Sequence, residues 1–283
     1  MTSVGVQEAV DAAADVDHDV SWRVSVIDVG RERVLAQRDP DTVQRTASLG
    51  KLLLLIEVAK RFEDGSLDPT ETLTPTDDDL VRDSGLWWHL SSRSLALADC
   101  AALVGAFSDN LATNVLLTRV GGAEPVRATA RAEGLDGVRL HRKVRDTAPA
   151  PGTGSPYGLS SGSARACADL MARLHRRDVG SPAVCARVLG WLGLNADLSM
   201  VAGAFGLDPL CHNEPDRGVQ LWNKTGTIAD VLGDVGLVSG PAAVVSYAVL
   251  TEHDDAHHPA GRDSALAGMA QVGTALRAVV EGR

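Results

Sequence analysis

Residues 219–251 read VQLWNKTGTIADVLGDVGLVSGPAAVVSYAVLT. Three runs within them, Val219–Thr227, Asp234–Val238 and Ala243–Thr251, are rich in β-branched residues and separated by turn residues, which predicts three strands. Working outward, Trp22–Val29 also alternates. Trp22, Val24, Val26 and Asp28 face one way and Arg23, Ser25 and Ile27 the other, the period of a strand. Arg31–Gln37 reads as a second strand, with Gly30 marking the hairpin turn. The two strand groups join most simply into one five-stranded antiparallel sheet. A helix over 6–16, with Val6, Val10 and Ala13 on one stripe, and a helix over Asp263–Val280 flank it.

The pattern between the strand groups is helical. Ser48–Glu63 is apolar nearly all round, which predicts a buried helix ended by Gly65. Leu73–Asp79 reads as loop or edge. Ser94–Phe107, Leu111–Val120, Glu124–Glu133, Ala164–His175 and Val184–Leu192 read as helices, with Gly121-Gly122 a break. Residues 147–163 carry Pro149, Pro151, Gly152, Gly154, Pro156, Gly158 and Gly162, a long loop within a domain. The predicted class is α+β, an α/β sandwich with an all-helical lobe. A discontinuous sheet-and-helix lobe spans 1–45 plus 213–283, and a helical lobe spans 46–212.

The chain has 283 residues and a net charge of -10 with no basic block, which argues against a nucleic-acid binder. The N-terminal stretch is acidic without an apolar core, so no signal peptide is visible. The longest apolar run, around Leu52–Ile56, is too short to span a bilayer. The expectation is a monomeric cytoplasmic protein, or a secreted one whose leader was removed. Cys100, Cys167, Cys185 and Cys211 show no ligand spacing and read as reduced, mostly buried thiols. His253, Asp254, Asp255, His257 and His258 crowd one loop and read as a solvated polar turn, not a metal site. Trp87 and Trp88 read as packing residues, with one of them available as a cleft wall.

Three short signals stand in order: Ser48-Leu49-Gly50-Lys51, Ser108-Asp109-Asn110 and Lys224-Thr225-Gly226. Ser48 opens a buried helix, where free N–H groups and the macrodipole favour a developing anion. Lys51 shares its face one turn on, and desolvation lowers its pKa so that it can take the Ser48 proton. Nineteen serines make an isolated Ser-x-x-Lys a common coincidence, but only four lysines occur in the whole chain, so Lys-Thr-Gly is hard to match by accident. Asp109 and Asn110 are also ordinary N-cap types for the helix that follows. Gly226 in a strand lets another backbone or a ligand approach closely.

These residues resemble the penicillin-recognising serine enzymes and, within them, the class A β-lactamases. The resemblance covers nearly the whole chain and implies an active site in the cleft between the two lobes. It implies Ser48 as the acylated nucleophile, Lys51 as its proton acceptor and Ser108 as the hydroxyl that relays a proton to the leaving nitrogen. It implies Asn110 on a substrate amide, Lys224 and Thr225 on the substrate carboxylate, and an oxyanion hole made by the N–H groups of Ser48 and of Thr227, beside Gly226. No cofactor and no metal are implied, and the partner is a small, carboxylate-bearing molecule.

One departure stands out. Class A enzymes carry a Glu-x-x-x-Asn segment that activates the deacylating water, yet here no Glu occurs between Glu133 and Glu214. Asp146 is the nearest carboxylate, and its plain reading is a pair with Arg142 or Arg145. The expectation is a serine hydrolase of β-lactam amides with slow deacylation, a role in antibiotic resistance included. The alternatives are an esterase or amidase of the same fold, and a β-lactam-binding sensor or biosynthetic partner without turnover.

Overall fold

A computed structural model describes residues 3–146, 155–254 and 256–283. In chain order the elements are α1 (Ser3–Val16), β1 (Ser21–Asp28), β2 (Arg33–Arg38), β3 (Gln44–Arg45), α2 (Lys51–Glu63), β4 (Thr72–Leu73), β5 (Leu95–Ala96), α3 (Leu97–Phe107), α4 (Asn110–Val120), α5 (Ala123–Ala132), β6 (Val138–Leu140), β7 (Ser160–Gly162), α6 (Ala164–Arg176), α7 (Pro182–Leu192), β8 (Gln220–Ile228), β9 (Val231–Ser239), β10 (Val244–Glu252) and α8 (Gly261–Glu281). Short 3₁₀ turns cover Ala47–Gly50, Trp87–His89 and Val201–Phe205.

The main sheet is five-stranded and antiparallel, as the sequence predicts, and its strands run in the order β2-β1-β10-β9-β8. Strands β9 and β10 are buried on both faces, and the alternation decides which core each side chain enters. Val245, Tyr247 and Val249 pack with Val6 and Val10 of α1 and with Met269 and Leu276 of α8. Ala248 and Leu250, one residue out of phase, join the leucines of α2 and the middle helices. Trp22 lies against α8 where Gly268 removes the obstacle: a Cβ there would sit 2.5 Å from the indole. Among the described residues no helix is long and apolar enough to cross a membrane.

Several predicted elements are corrected. The helix expected over Ser48–Glu63 starts at Lys51, and Ser48 stands in the 3₁₀ turn before it. Ser94–Ala96 is not helical, because Leu95–Ala96 pairs with Thr72–Leu73. The end of the long loop predicted over 147–163 forms β7, which pairs with β3 and β6. Residues 147–154 of that loop lie outside the described residues. Strands of two or three residues show too little alternation to be read from sequence.

Cys100, Cys167 and Cys185 are buried free thiols and Cys211 is exposed. His253 is not solvated as expected: it is 6% exposed, and among the described residues neither ring nitrogen has a partner. His258 bonds Asp17 at 2.7 Å and His257 bonds Asp254 at 2.7 Å. Asp255 lies outside the described residues.

Candidate active site

The turn that carries Ser48 is held from both sides. Ala47 adopts φ +47°, a left-handed conformation uncommon for a residue with a side chain. Ser160 of β7, fully buried, secures it: its Oγ donates to the Ala47 carbonyl at 2.7 Å and accepts the Gly50 N–H at 3.2 Å. Thr46 Oγ1 lies 2.7 Å from the same oxygen. On the other side, edge strand β8 presses against the turn. A Cβ on Gly226 would stand 2.5 Å from the Thr46 carbonyl and 3.1 Å from the Ser48 nitrogen, so only glycine lets the strand come this close. Gly226 thereby brings the backbone of β8 alongside the Ser48 amide.

Two lysines, each 0% exposed, converge on Ser108. Lys51 Nζ donates to the Ser108 carbonyl at 2.5 Å and to Asn110 Oδ1 at 2.6 Å, and lies 3.3 Å from Ser108 Oγ. Lys224 Nζ donates to Ser108 Oγ at 2.9 Å and to the Thr225 carbonyl at 2.7 Å. Burial pushes Lys51 well below the ordinary lysine range, and the Lys224 cation adds to the effect. Burial brings Lys224 down to about 8, against the opposing pull of the Asp197 and Asp234 carboxylates. Asp234 is itself pushed up to about 6 by burial, although Asn223 and the Ala202 N–H bond it.

Ser108 is placed by local geometry. It caps the C-terminus of α3 in a left-handed conformation, φ +54°, and so turns its carbonyl and hydroxyl toward the lysines. Asp109 then caps α4 through the Ala112 N–H at 2.8 Å. Its other oxygen accepts the Leu86 and Trp87 N–H groups at 2.7 Å each, which ties the 83–88 segment to the site.

These groups border a cavity of about 930 Å³ lined by Ser48, Ser108, Asn110, Thr225 and Thr227 among others. Asn110, expected to face a substrate amide, has its oxygen on Lys51 and its nitrogen 3.3 Å from Asp83. Trp87 is buried and bonds the Ser92 carbonyl, and Trp88 lies under Arg82, so neither lines this cavity.

The expected pairing of Asp146 with Arg142 or Arg145 is corrected. Asp146 accepts the Arg82 backbone N–H at 3.2 Å, and Arg145 pairs with Asp78 at 2.8 Å. Asp146 does not line the cavity; its carboxylates are Asp83 and Asp197. Sequence reasoning missed Ser160 and Asp83. Both sit in stretches without periodicity, and no local signal marks them.

A family model described as the beta-lactamase enzyme family matches residues 6–280. No curated protein matches. Among solved structures, a β-lactamase from Sphaerobacter thermophilus DSM 20745 superposes with a TM-score of 0.81 at 23% identity, over 98% of this chain and 96% of that one. A point mutant of PBP-A, solved as its acyl-enzyme complex with penicillin G, gives a TM-score of 0.78 at 21% identity, over 97% and 95% of the two chains. A β-lactamase from Xanthomonas campestris pv. campestris gives 0.79 at 18% identity, over 98% of both. At these identities the structures speak for the fold alone. The family match extends over nearly the whole sequence, and on it the chain belongs to the β-lactamase enzyme family.

Proposed function

We propose that the chain is a serine hydrolase that forms an acyl-enzyme at Ser48 and acts on a carboxylate-bearing β-lactam amide, with deacylation the slow step. The observation that carries this reading is the convergence of two fully buried lysines on Ser108 Oγ. Burial of Lys51 favours its neutral amine over the cation. A neutral amine has two N–H donors and one lone pair. The short bonds to the Ser108 carbonyl and Asn110 use both donors, which leaves the lone pair for a proton.

In this reading the Ser48 hydroxyl proton passes to Lys51 Nζ as Ser48 Oγ bonds the lactam carbonyl carbon. The Ser48 N–H beside β8 stabilises the oxyanion. The carbon–nitrogen bond then breaks, and the proton travels from Lys51 through Ser108 Oγ to the departing nitrogen. Lys224, donating to Ser108 Oγ, holds that hydroxyl in line and attracts the substrate carboxylate.

The role of Lys224 sets a pH dependence. Its pKa of about 8 means that the cation is lost as pH rises past that value. For carboxylate-bearing substrates kcat/KM is expected to fall roughly tenfold per pH unit above it. A neutral aryl ester should lose far less. Matched pH profiles for the two substrates check this, and parallel losses would refute the carboxylate role.

A second reading, a β-lactam-binding protein acylated without turnover, is favoured by one feature. The 142–145 segment presents arginines and Val144 to the cavity, not a carboxylate. Rapid mixing with a chromogenic cephalosporin separates the two readings. The hydrolase is expected to give a burst of about one product per Ser48 and then a slow steady rate. A burst with no later turnover identifies the binding protein. Turnover of short-chain aryl esters without any reaction of the cephalosporin identifies an esterase.

A further inference from the structure

Three arginines line the active-site cavity: Arg45, Arg142 and Arg145. Arg45 is neutralised by Asp230 at 2.7 Å and Glu252 at 2.6 Å, and Arg145 by Asp78 at 2.8 Å. Arg142 differs. Its Nη1 donates to the Lys143 carbonyl at 3.2 Å, and among the described residues its buried Nε has no partner and no carboxylate pairs with it. Residues 147–154 read TAPAPGTG and hold no acid either. The two carboxylates of the cavity are engaged elsewhere, Asp83 with Asn110 and Asp197 with the Ser199 N–H and hydroxyl.

A guanidinium carries five N–H donors in a fixed fork. With no acid opposite this guanidinium among the described residues, a planar anion in the cavity is the partner that fits its fork two-pronged. The place of Arg142 in the cavity says which part of a substrate would bring that anion. Ser108 and Lys224 stand on the side of the departing nitrogen. Arg142 follows β6, whose partner β7 holds the Ser48 turn on the side away from β8, so a group that reaches it belongs to the part left on Ser48.

We propose that Arg142 is a second anion station of this site and binds a carboxylate on the acyl portion of the substrate. The preferred substrate is then a diacid, with one carboxylate on Lys224 and the other on Arg142. This inference rests on Ser48 being the acylated residue.

Two penicillins that differ by one carboxylate test it: benzylpenicillin and its derivative with a carboxyl on the side-chain α-carbon. The measurement is the second-order rate of Ser48 acylation, followed by intact-protein mass. The wild-type chain is expected to react at least about tenfold faster with the diacid, the scale for a charged hydrogen-bonded contact. The Arg142→Gln variant should bring the ratio of the two rates to about one, and Arg142→Lys should restore part of it. A wild-type ratio near one, or a ratio unchanged in Arg142→Gln, overturns the proposal. If neither penicillin labels Ser48, the acylation reading itself fails. Calorimetry with phenylmalonate, the diacid fragment alone, then decides on Arg142 separately. Binding weakened about tenfold or more in Arg142→Gln upholds the anion station, and equal binding overturns it.

Discussion

Replacing Ser48 with alanine is expected to abolish the covalent adduct with β-lactams and to slow their opening by about 10³-fold or more. Ser48 lines the same cavity as Ser108, while its backbone is set by the turn. Ser160 and Gly226 fix that turn through main-chain atoms, and neither depends on the Ser48 hydroxyl. The variant should therefore fold as the parent does and keep the shape of the cavity. Only the Ser48 hydroxyl is lost, so residual binding of a penicillin without adduct is the expected companion result. Intact-protein mass after incubation reads the adduct, and an adduct that persists would move the nucleophile elsewhere.

Lys51→Met should separate chemistry from stability. With no amine to accept the Ser48 proton, acylation is expected to fall by about 10³-fold. The effect on folding is the difference of two opposed quantities. An apolar side chain of similar length relieves the desolvation that pushes Lys51 so far down. It also leaves the Ser108 carbonyl and Asn110 Oδ1 without their donor, at about 1–3 kcal/mol per buried group. The net change is expected to stay within about 1 kcal/mol of zero. Denaturant unfolding read beside the acylation rate checks both halves. A variant that loses several kcal/mol would make Lys51 a structural residue first.

How far the sequence carries can be seen at particular residues. The sheet was legible because Trp22, Val24 and Val26 alternate with Arg23, Ser25 and Ile27, and because the last three strands are rich in β-branched residues between turn residues. The three short signals were legible because four lysines leave little room for accident. The meeting of Lys51 and Lys224 on Ser108 depends on a left-handed backbone at Ser108 and on the approach of β8 at Gly226, neither of which has a periodic signature. Ser160 lay in a stretch read as loop, since a three-residue strand carries no pattern. The partner assigned to Asp146 was wrong for a related reason. Nearness along the chain favoured Arg142 and Arg145, whereas the fold brought Asp78 to Arg145 and the Arg82 amide to Asp146.

The register of the central strands has a consequence for how the chain assembles. Ser21–Asp28 of β1 pairs residue by residue with Val245–Glu252 of β10, and every helix of the middle lies between them in sequence. Closing that pairing means closing a loop of most of the polypeptide, a slow event governed by chain entropy. During synthesis the β1–β2 hairpin leaves the ribosome with one edge unpaired and waits there until β10 emerges. The helices of 51–192 make local contacts and can consolidate in the meantime. Ser48 and Gly226 also come from opposite ends of this loop, so their close approach forms late, when the sheet closes.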